Sequence, residues 1–297
     1  MTETPTRSGD IVVGIDGSSG SDHALEWAIT EATRLGRGIT LAHGLTPATA
    51  TERAWLSRAG VAAADIEREA HRDAEALLRG KEKMVAEQSP QTRVAIVVRD
   101  QDPRMALAEL SKHAYRLVVG SRGHGRVASL LLGSVSEALT HSASCPVVVV
   151  RPRTGPESER GVVVGLSTTQ GSDAALAAGF AEAAARGIPL IVALCMWDGF
   201  YVMGSWGAPT EDAPGFDELK AAVASAVDGF KEQYPDVPAT ILVAQGSVAH
   251  CFLDVSRTRD LLVVGRPHAH TGWGLTGAGS IATTLVAHAH VPVMVVP

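Results

Sequence analysis

Short apolar runs alternate along the chain with longer segments in which apolar residues recur every three or four positions. Residues 10–15 form the first apolar run and are rich in β-branched side chains, which predicts a strand. Residues 21–35 carry a helical stripe of apolar positions that ends at Gly36, a residue type favoured at helix C-termini. The chain therefore opens with a predicted strand that is followed directly by a helix.

The same alternation continues through the first half of the chain. Further strands are predicted at residues 39–43, 94–98, 117–120 and 146–150, with helices at 103–114 and 134–143. The Ala-, Glu- and Arg-rich segment 54–88 predicts one long helix or two, interrupted around Gly60 or Gly80. Strands that are apolar throughout are typical of parallel sheets covered on both faces. With right-handed crossovers, the pattern predicts a doubly wound α/β domain with five parallel strands.

The second half of the chain repeats the first. Residues 11–25 read IVVGIDGSSGSDHAL and residues 162–176 read VVVGLSTTQGSDAAL, with glycine, serine and aspartate at matching places. Near the two ends, GSVSEALTHSASCPVVVV from Gly133 matches GSIATTLVAHAHVPVMVV from Gly279. A repeat of whole-domain length indicates two tandem domains rather than a solenoid. We expect them at residues 1–152 and 160–297, joined by a linker rich in proline and charge.

Length, charge and cysteine content narrow the classes of function. The 297 residues suit two domains of ordinary size, and the 45% hydrophobic content suits packed cores. With 26 Lys and Arg against 32 Asp and Glu, the net charge of −6 disfavours a nucleic-acid-binding protein. No apolar run approaches the roughly 18 residues of a membrane span. Three cysteines without metal-like or disulfide-like spacing are expected to be buried apolar residues of a cytoplasmic protein.

Candidate binding residues cluster where predicted strands of the first domain end. In open parallel sheets, ligands bind at the carboxyl ends of the strands, where helix N-termini converge. The first strand ends in the segment Gly14-Ile15-Asp16-Gly17, and the second ends in His43-Gly44. The fourth ends in Gly120-Ser121-Arg122-Gly123, with Gly133-Ser134 before the last helix. We expect these segments to form one site.

The glycine-rich segment after the fourth strand predicts a phosphate cradle. Glycine lets the main chain come close to a ligand and direct N–H groups towards it. Ser134 and Glu137 match an S-x-x-E capping box, which would place Ser134 at the N-cap, near free amides and the positive end of the helix dipole. Asp16 has the wrong sign for a phosphate and would suit a ribose hydroxyl, a metal ion or an adenine amino group.

These motifs together resemble a known family. Strand-G-x-D, then G-x2-G-x9-G-S before a helix and a final CPVVVV strand, all within a duplicated chain, resemble the universal stress proteins of the ATP-binding type. The tandem arrangement is similar to the two-domain actinobacterial, mycobacterial-like members. The resemblance implies Rossmann-like domains of the adenine nucleotide α-hydrolase-like class. It also implies ATP, with or without Mg²⁺, as the ligand, and a homodimer.

The resemblance also assigns roles to residues of the first domain. Asp16 and the main chain at Gly44 would lie at the adenosine end of the pocket. The ribose and phosphates would be held by Gly120, Gly123, Gly133 and Ser134, together with Ser136. Ser121 and Arg122 of the same segment are further candidate binding residues, where Arg122 could add a cation or could be a solvated loop residue, which is the usual place of arginine.

The second copy departs from the motif. Ser167 stands in place of Asp16, and His268, preceded by Pro267, stands in place of Gly123. The residues retained are Gly165, Gly265, Gly279 and Ser280. We expect weaker, altered or absent nucleotide binding there.

Other sequence features favour no competing site. The lysine of a Walker A loop is missing before Ser134, and Gly14, Gly17 and Gly20 do not have the dinucleotide spacing. The pairs His268/His270 and His288/His290 lack further ligands at metal-binding spacing, so no metal site is predicted.

Three functions stay open on the sequence alone. The first is an ATP-binding regulator of stress response or growth control with an unknown protein partner. The second is an interaction protein that needs no nucleotide. The third is an enzyme limited to slow ATP hydrolysis or autophosphorylation, for which the spacing of residues supports no catalytic set.

Overall fold

The computed structural model describes residues 8–123, 132–152, 159–166, 172–196, 206–208, 216–266 and 281–297. The chain divides into two compact units, Met1–Val147 and Val148–Pro297. Each unit is built from parallel strands joined by helices, which confirms the duplicated α/β fold expected from the sequence.

The first unit follows the predicted strand–helix alternation closely. Its strands are β1 (Ile11–Gly14), β2 (Ile39–Gly44), β3 (Val94–Arg99) and β4 (Arg116–Gly120), and β5 (Val147–Val150) begins at the boundary between the units. Its helices are α1 (Ser19–Leu35), α2 (Ala50–Arg58), α3 (Ala63–Gln88), α4 (Pro103–Leu110) and α5 (Ser134–Ser142).

The strand order places β1 at the centre of this sheet, between β2 and β4. Val12 pairs in parallel with Thr40 on one side and with Leu117 on the other. Consecutive strand residues point to opposite faces, and Ile11 and Val12 are both fully buried, so helices cover both faces. The chain moves outward from β1 to β2 and β3 and then returns to β4. The strand order therefore reverses between β1 and β4, where a ligand site is expected.

The second unit repeats this arrangement with one addition. Its strands are β6 (Val162–Leu166), β7 (Leu190–Met196), β8 (Trp206–Gly207), β9 (Ala239–Gly246), β10 (Leu261–Gly265) and β11 (Val293–Val296), and its helices are α6 (Ser172–Arg186), α7 (Phe216–Gln233), α8 (Val248–Ser256) and α9 (Ile281–His288). The strand order is β11-β10-β6-β7-β9-β8. The two-residue β8 pairs antiparallel with β9 and extends the predicted set of five parallel strands.

The long helical segment of the first unit is two helices rather than one. α2 ends at Arg58 and α3 begins at Ala63, with Gly60 between them at φ +76°. That left-handed conformation suits glycine and interrupts the helix. Gly80 lies inside α3, which continues through it without a break. The helical segment is therefore interrupted at Gly60, the first of the two positions predicted from the sequence, and not at Gly80.

Among the described helices, none combines the length and the apolar character that a membrane crossing requires. The three cysteines, Cys145, Cys195 and Cys251, are buried and free of disulfide bonds, as the sequence led us to expect.

Candidate nucleotide site

The turn between β1 and α1 holds the carboxylate of Asp16 in a defined orientation. Gly17 takes φ +85°, and Ser18 caps α1 with its side chain accepting from the Ser21 N–H at 3.2 Å. The Ser18 N–H donates to Asp16 Oδ1 at 2.9 Å, and the Ser18 hydroxyl donates to the same oxygen at 2.6 Å. Asp16 Oδ1 therefore accepts hydrogen bonds within the turn.

The other carboxylate oxygen faces the segment that follows β4. A β-carbon built on Gly123 would lie 2.2 Å from Asp16 Oδ2, which is closer than real β-carbons approach. Only a residue without a side chain fits beside the carboxylate in this arrangement. The structure thus brings together Asp16 and Gly123, which the sequence places in the same site from opposite ends of the first domain.

The same two segments also touch through their main chains. A β-carbon on Gly120 would lie 2.4 Å from the Gly20 carbonyl carbon, and one on Gly20 would lie 2.1 Å from the Arg122 carbonyl oxygen. The close approach expected of these glycines occurs between two parts of the protein, the first turn of α1 and the exit of β4. This contact joins the start of α1 to the exit of β4.

The start of α5 corrects one prediction. Gly133, not Ser134, is the N-cap, with φ −77° and ψ 146°, and Ser134 is the first residue of the helix. The Gly133 N–H donates to the Ser121 carbonyl at 2.8 Å, and its carbonyl accepts from the Glu137 N–H at 3.0 Å. Because the N-cap residue is a glycine, it has no side chain to accept a hydrogen bond, and the S-x-x-E capping box does not form. The amides of the first turn, from Ser134 to Ser136, have no acceptor within their own helix.

Ser136 connects α5 to the end of β4. Its hydroxyl donates to the Gly120 carbonyl at 2.6 Å, and the residue is only 3% exposed. Arg122, in contrast, is exposed beside Gly123. Ser136 therefore fixes the helix N-terminus above the strand end, and Arg122 is the cation that the described part of this loop presents to solvent.

The end of β2 forms the neighbouring wall. His43 Nδ1 lies 2.6 Å from the Ile15 carbonyl, which ties the ends of β1 and β2 together. A β-carbon on Gly44 would lie 2.6 Å from the Cα of Pro103, so the start of α4 packs on the Gly44 main chain. Gly14 lies deeper, where a β-carbon would lie 3.0 Å from Leu107 Cδ1 of α4. Gly14 thus packs against α4, and Gly44 lies at the end of β2.

A charged pair, Asp102 and Arg104, lies at the start of α4 beside this wall. The sequence analysis did not identify it. Asp102 caps α4 and accepts from the Arg104 N–H at 2.9 Å, Nε at 2.8 Å and Nη2 at 2.8 Å. The hydrogen bond from the Arg104 side chain is the main reason that the pKa of Asp102 falls to about 2. The Asp-Pro-Arg order of an N-cap followed by proline is the signal that could have identified it.

The second unit has part of the same framework. A β-carbon on Gly165, at the equivalent of Gly14, would lie 2.7 Å from a ring carbon of Phe252 in α8. Gly265 ends β10, as Gly120 ends β4. The remaining residues considered for this copy lie outside the described residues: Ser167, Pro267, His268, His270, Gly279 and Ser280.

Comparison with known proteins gives a consistent family assignment. The family model described as the universal stress protein family matches residues 8–151 and again residues 160–297. A universal stress protein of Mycolicibacterium smegmatis is 33% identical over 303 residues, covering 100% of this chain and 99% of that protein. One from Mycobacterium tuberculosis is 32% identical over 304 residues, covering 98% of each chain.

Solved structures agree on the fold. The crystal structure of a universal stress protein from Archaeoglobus fulgidus matches with a TM-score of 0.68 at 17% identity, covering 97% of this chain and 98% of that one. A putative universal stress protein from Pseudomonas aeruginosa matches with a TM-score of 0.59 at 14% identity, covering 98% and 94%. With the family model matched in both halves and relatives above 30% identity along the whole chain, this protein belongs to the universal stress protein family as a tandem two-domain member.

Proposed function

We propose that the first unit binds ATP between the ends of β1 and β4, and that the protein acts as a nucleotide-dependent regulator in stress response or growth control. The observation that carries the proposal is the contact between the Asp16 carboxylate and Gly123 beside the N-terminus of α5. It joins, at the point where strand order reverses, a group suited to a nucleoside and a group suited to phosphates.

The phosphate end of the proposed site is the first turn of α5. The amides of Ser134, Val135 and Ser136 point out of the helix, and the helix dipole favours negative charge there. Gly133 donates its own N–H to Ser121, so it contributes shape rather than a hydrogen bond to the ligand. Exposed Arg122 supplies positive charge at the opening between the ends of β1 and β4, which we call the mouth of the site.

The nucleoside end of the proposed site is the Asp16 carboxylate. Asp16 keeps Oδ2 on the Gly123 side while Oδ1 is held by Ser18. A carboxylate oxygen accepts hydrogen bonds from a ribose hydroxyl or an adenine amino group. The Gly44 main chain lines the adjoining strand end. Where Mg²⁺ accompanies ATP, it would neutralise phosphate charge, and Asp16 is the carboxylate of this mouth that could share it.

Residues of this mouth bind and orient a nucleotide more readily than they transform it. Hydrolysis needs a group that orients an attacking water in line with the terminal phosphate. In the described part of the mouth, Asp16 is held by Ser18, and His43 is engaged with the Ile15 carbonyl. We therefore propose a regulator, with any ATP hydrolysis slow.

Regulation requires that ATP bind two states of the protein with different affinity. In our proposal these states differ in how the protein engages a partner protein or a second copy of itself in the cytoplasm. Sedimentation of the full chain with and without ATP measures the self-association directly. A distribution of species that shifts with ATP supports control of self-association. An unchanged distribution leaves binding to a partner protein as the step that ATP controls.

The proposal is tested by the nucleotide content and affinity of the full chain. Small molecules released from freshly purified protein are identified by mass spectrometry, and ATP affinity is measured by equilibrium dialysis. We expect an adenine nucleotide in the released fraction and tight ATP binding. Asp16→Ala is expected to lower the affinity for ATP at least tenfold, because it removes the carboxylate that would accept hydrogen bonds from the nucleoside. Asp65→Ala, on the exposed face of α3, serves as the matched control and should bind like the wild type.

The outcomes separate the three functions. Nucleotide binding without phosphate release over hours supports a regulator. Steady release of phosphate indicates an ATPase. Absence of nucleotide in the purified protein, together with no measurable ATP affinity, would overturn the proposal and leave a nucleotide-independent interaction protein.

A further inference from the structure

The two units differ at the outer edge of their sheets. In the second unit, Trp206 and Gly207 of β8 pair antiparallel with Gly246 and Gln245 at the end of β9. In the first unit, β3 is the outermost strand, and within the described part of the chain it pairs with β2 alone. The edge of the second unit therefore carries an added strand that the edge of the first unit lacks.

The strand registers show that β3 and β9 occupy the same place in the two units. Val97 of β3 pairs with Ala42, and Leu242 of β9 pairs with Ala193. Each of these alanines pairs in turn with the glycine of β1 or β6 that is equivalent in the two copies. Val97 and Leu242 are thus equivalent positions on two equivalent edge strands.

The added strand of the second unit comes from the segment that forms α2 in the first. In both units this segment connects the second strand to the long helix, as residues 45–62 in the first unit and residues 197–215, which contain β8, in the second. α2 has no buried residue, and an ion pair between Arg53 and Glu67 at 3.0 Å ties it to α3. The connection in the first unit therefore supplies no strand beside β3.

The main chain of β3 is hydrogen-bonded to β2 through alternate residues. The Arg93 carbonyl accepts from the Ile39 N–H at 2.8 Å, and the Arg99 carbonyl accepts from the Leu45 N–H at 2.8 Å. Because a residue in a parallel strand directs its N–H and its carbonyl to the same side, the alternate residues in between direct both groups away from β2. These outward residues are Val94, Ile96 and Val98.

The open edge lacks the features by which edge strands usually avoid pairing. Natural edges are protected by lysine or other charged residues, by proline, or by a covering segment. β3 reads VAIVVR, so its first five residues are all apolar. All of its residues except Val97 are half-buried, in contrast to the buried residues of β1 from Ile11 to Val13. β3 is therefore suited to pair with a further strand.

We propose that β3 is the surface through which two copies of this chain associate, by antiparallel pairing of the two β3 strands about a twofold axis. The pairing of β8 with β9 is the precedent within the chain for an antiparallel strand at this edge. A twofold interface uses the same surface of both copies, so one open edge on each is sufficient. This association gives a surface to the self-association considered above and does not depend on ATP binding by the first unit.

The charges of α3 favour a second copy in this orientation. α3 packs on β3. Its first half, residues 63–75, contains five acidic and two basic residues, whereas residues 76–88 contain three basic and two acidic residues. Twofold pairing of the strands brings the two α3 helices together in opposite directions, so the acidic half of each lies nearer the basic half of the other. A parallel arrangement would bring the acidic halves together, which is unfavourable.

The first test follows amide hydrogen exchange of the wild-type full chain without ATP. Exchange of the peptide covering residues 94–99 is measured by mass spectrometry at low and high protein concentrations, and sedimentation gives the mass of the species at each. We expect a dimer at high concentration and slower exchange of this peptide, because its outward amides then donate to the second copy. The peptide covering residues 239–244 of β9 should exchange equally at both concentrations.

The second test uses a matched pair of proline variants. Ile96→Pro removes an outward N–H and leaves the hydrogen bonds to β2 in place, so the unit should still fold. The dissociation constant of the dimer is expected to rise about tenfold or more, since each dimer loses two hydrogen bonds between the copies. Ile241→Pro removes the equivalent outward N–H from β9, where the neighbouring ladder begins with the Leu190 N–H and the Pro238 carbonyl at 2.9 Å. This control should associate like the wild type.

Three results would overturn the proposal. One is a wild-type chain that sediments as a single copy at every concentration, which would leave the edge of β3 to a strand of another protein. The second is a dimer in which exchange of residues 94–99 does not change, which would place the interface elsewhere. The third is equal weakening of the dimer by Ile96→Pro and Ile241→Pro. The first two results come from the wild-type chain without ATP, so they are independent of whether a variant folds and of the measured ATP affinity.

Discussion

Asp16 and Gly123 meet across the exits of β1 and β4, with a carboxylate oxygen occupying the space that a β-carbon on residue 123 would need. A side chain at residue 123 would have to displace the Asp16 carboxylate or the loop, so the restriction on this position comes from the protein itself. In the proposed site, the role of this glycine is indirect, because it gives the Asp16 carboxylate room beside the exit of β4. This relationship makes residue 123 the most direct probe of the proposed nucleotide pocket.

Gly123→Ala is expected to weaken ATP binding about tenfold or more, equivalent to about 1.4 kcal/mol. The added methyl group would lie 2.2 Å from Asp16 Oδ2 and must displace either the carboxylate or the loop. Residue 123 is exposed, so we expect the unfolding midpoint in urea to change little. Equilibrium dialysis with ATP measures the affinity. Gly80→Ala in α3, where the methyl group meets nothing within 4 Å, is the matched control. Equal affinity in both variants would contradict the proposed pocket.

Gly120→Ala is expected to destabilise the fold as well as the site. Its methyl group would lie 2.4 Å from the carbonyl carbon of Gly20, and main-chain atoms cannot turn away as a side chain can. Overpacking of this kind costs about 1–3 kcal/mol. Urea denaturation should show this loss in the free energy of unfolding. Gly80→Ala should instead leave the protein unchanged or stabilise it by up to about 1 kcal/mol, since alanine favours a helix interior.

Most of the framework of this site could be predicted from the sequence, because it depends on local patterns. Apolar runs locate strand ends, and parallel strands bring those ends to one edge, so the convergence of Asp16 with Gly120 and Gly123 follows from the pattern. The cap of α5 could not be predicted, because Gly133 is held by a hydrogen bond to Ser121, a contact made by the folded loop.

Gly14 shows a second limit of sequence reasoning. Its place in the motif indicates a ligand contact, and in the fold a β-carbon there would lie 3.0 Å from Leu107 Cδ1 of α4. How a helix packs on a strand is a property of the whole domain, which local sequence patterns do not determine.

Asp102 is expected to give stability that depends on pH. Its pKa is about 2 in the folded protein, against an ordinary value of 3.8, so the folded state favours the charged carboxylate. The stabilisation is therefore complete above about pH 4 and is lost as the pH falls towards about 2. Asp102→Ala should lower the urea midpoint at neutral pH and approach the wild type as the pH falls through this window. A difference that stays constant down to the acid limit would show that capping by Asp102 does not depend on its charge.

A buried ion pair in the first unit offers the largest expected stability effect. Arg116 Nη1 in β4 lies 3.6 Å from Glu31 Oε2 in α1, and the two side chains are 2% and 3% exposed. Glu31 also pairs with Arg34, and Arg116 lies over the rings of Trp27 and Tyr115. Removing the Glu31 charge therefore unbalances a buried charge cluster, which costs about 3–5 kcal/mol. Glu31→Gln should therefore lower the free energy of unfolding by that amount in urea.

The double variant separates charge from shape at this pair. Glu31→Leu combined with Arg116→Leu removes both charges and is expected to recover much of the loss, since an apolar pair of similar size needs no solvation. The exposed pair of Arg68 and Asp65 is the matched control, and Asp65→Ala should cost less than about 1 kcal/mol. If Glu31→Gln cost no more than Asp65→Ala, burial would not be what makes the pair between α1 and β4 important.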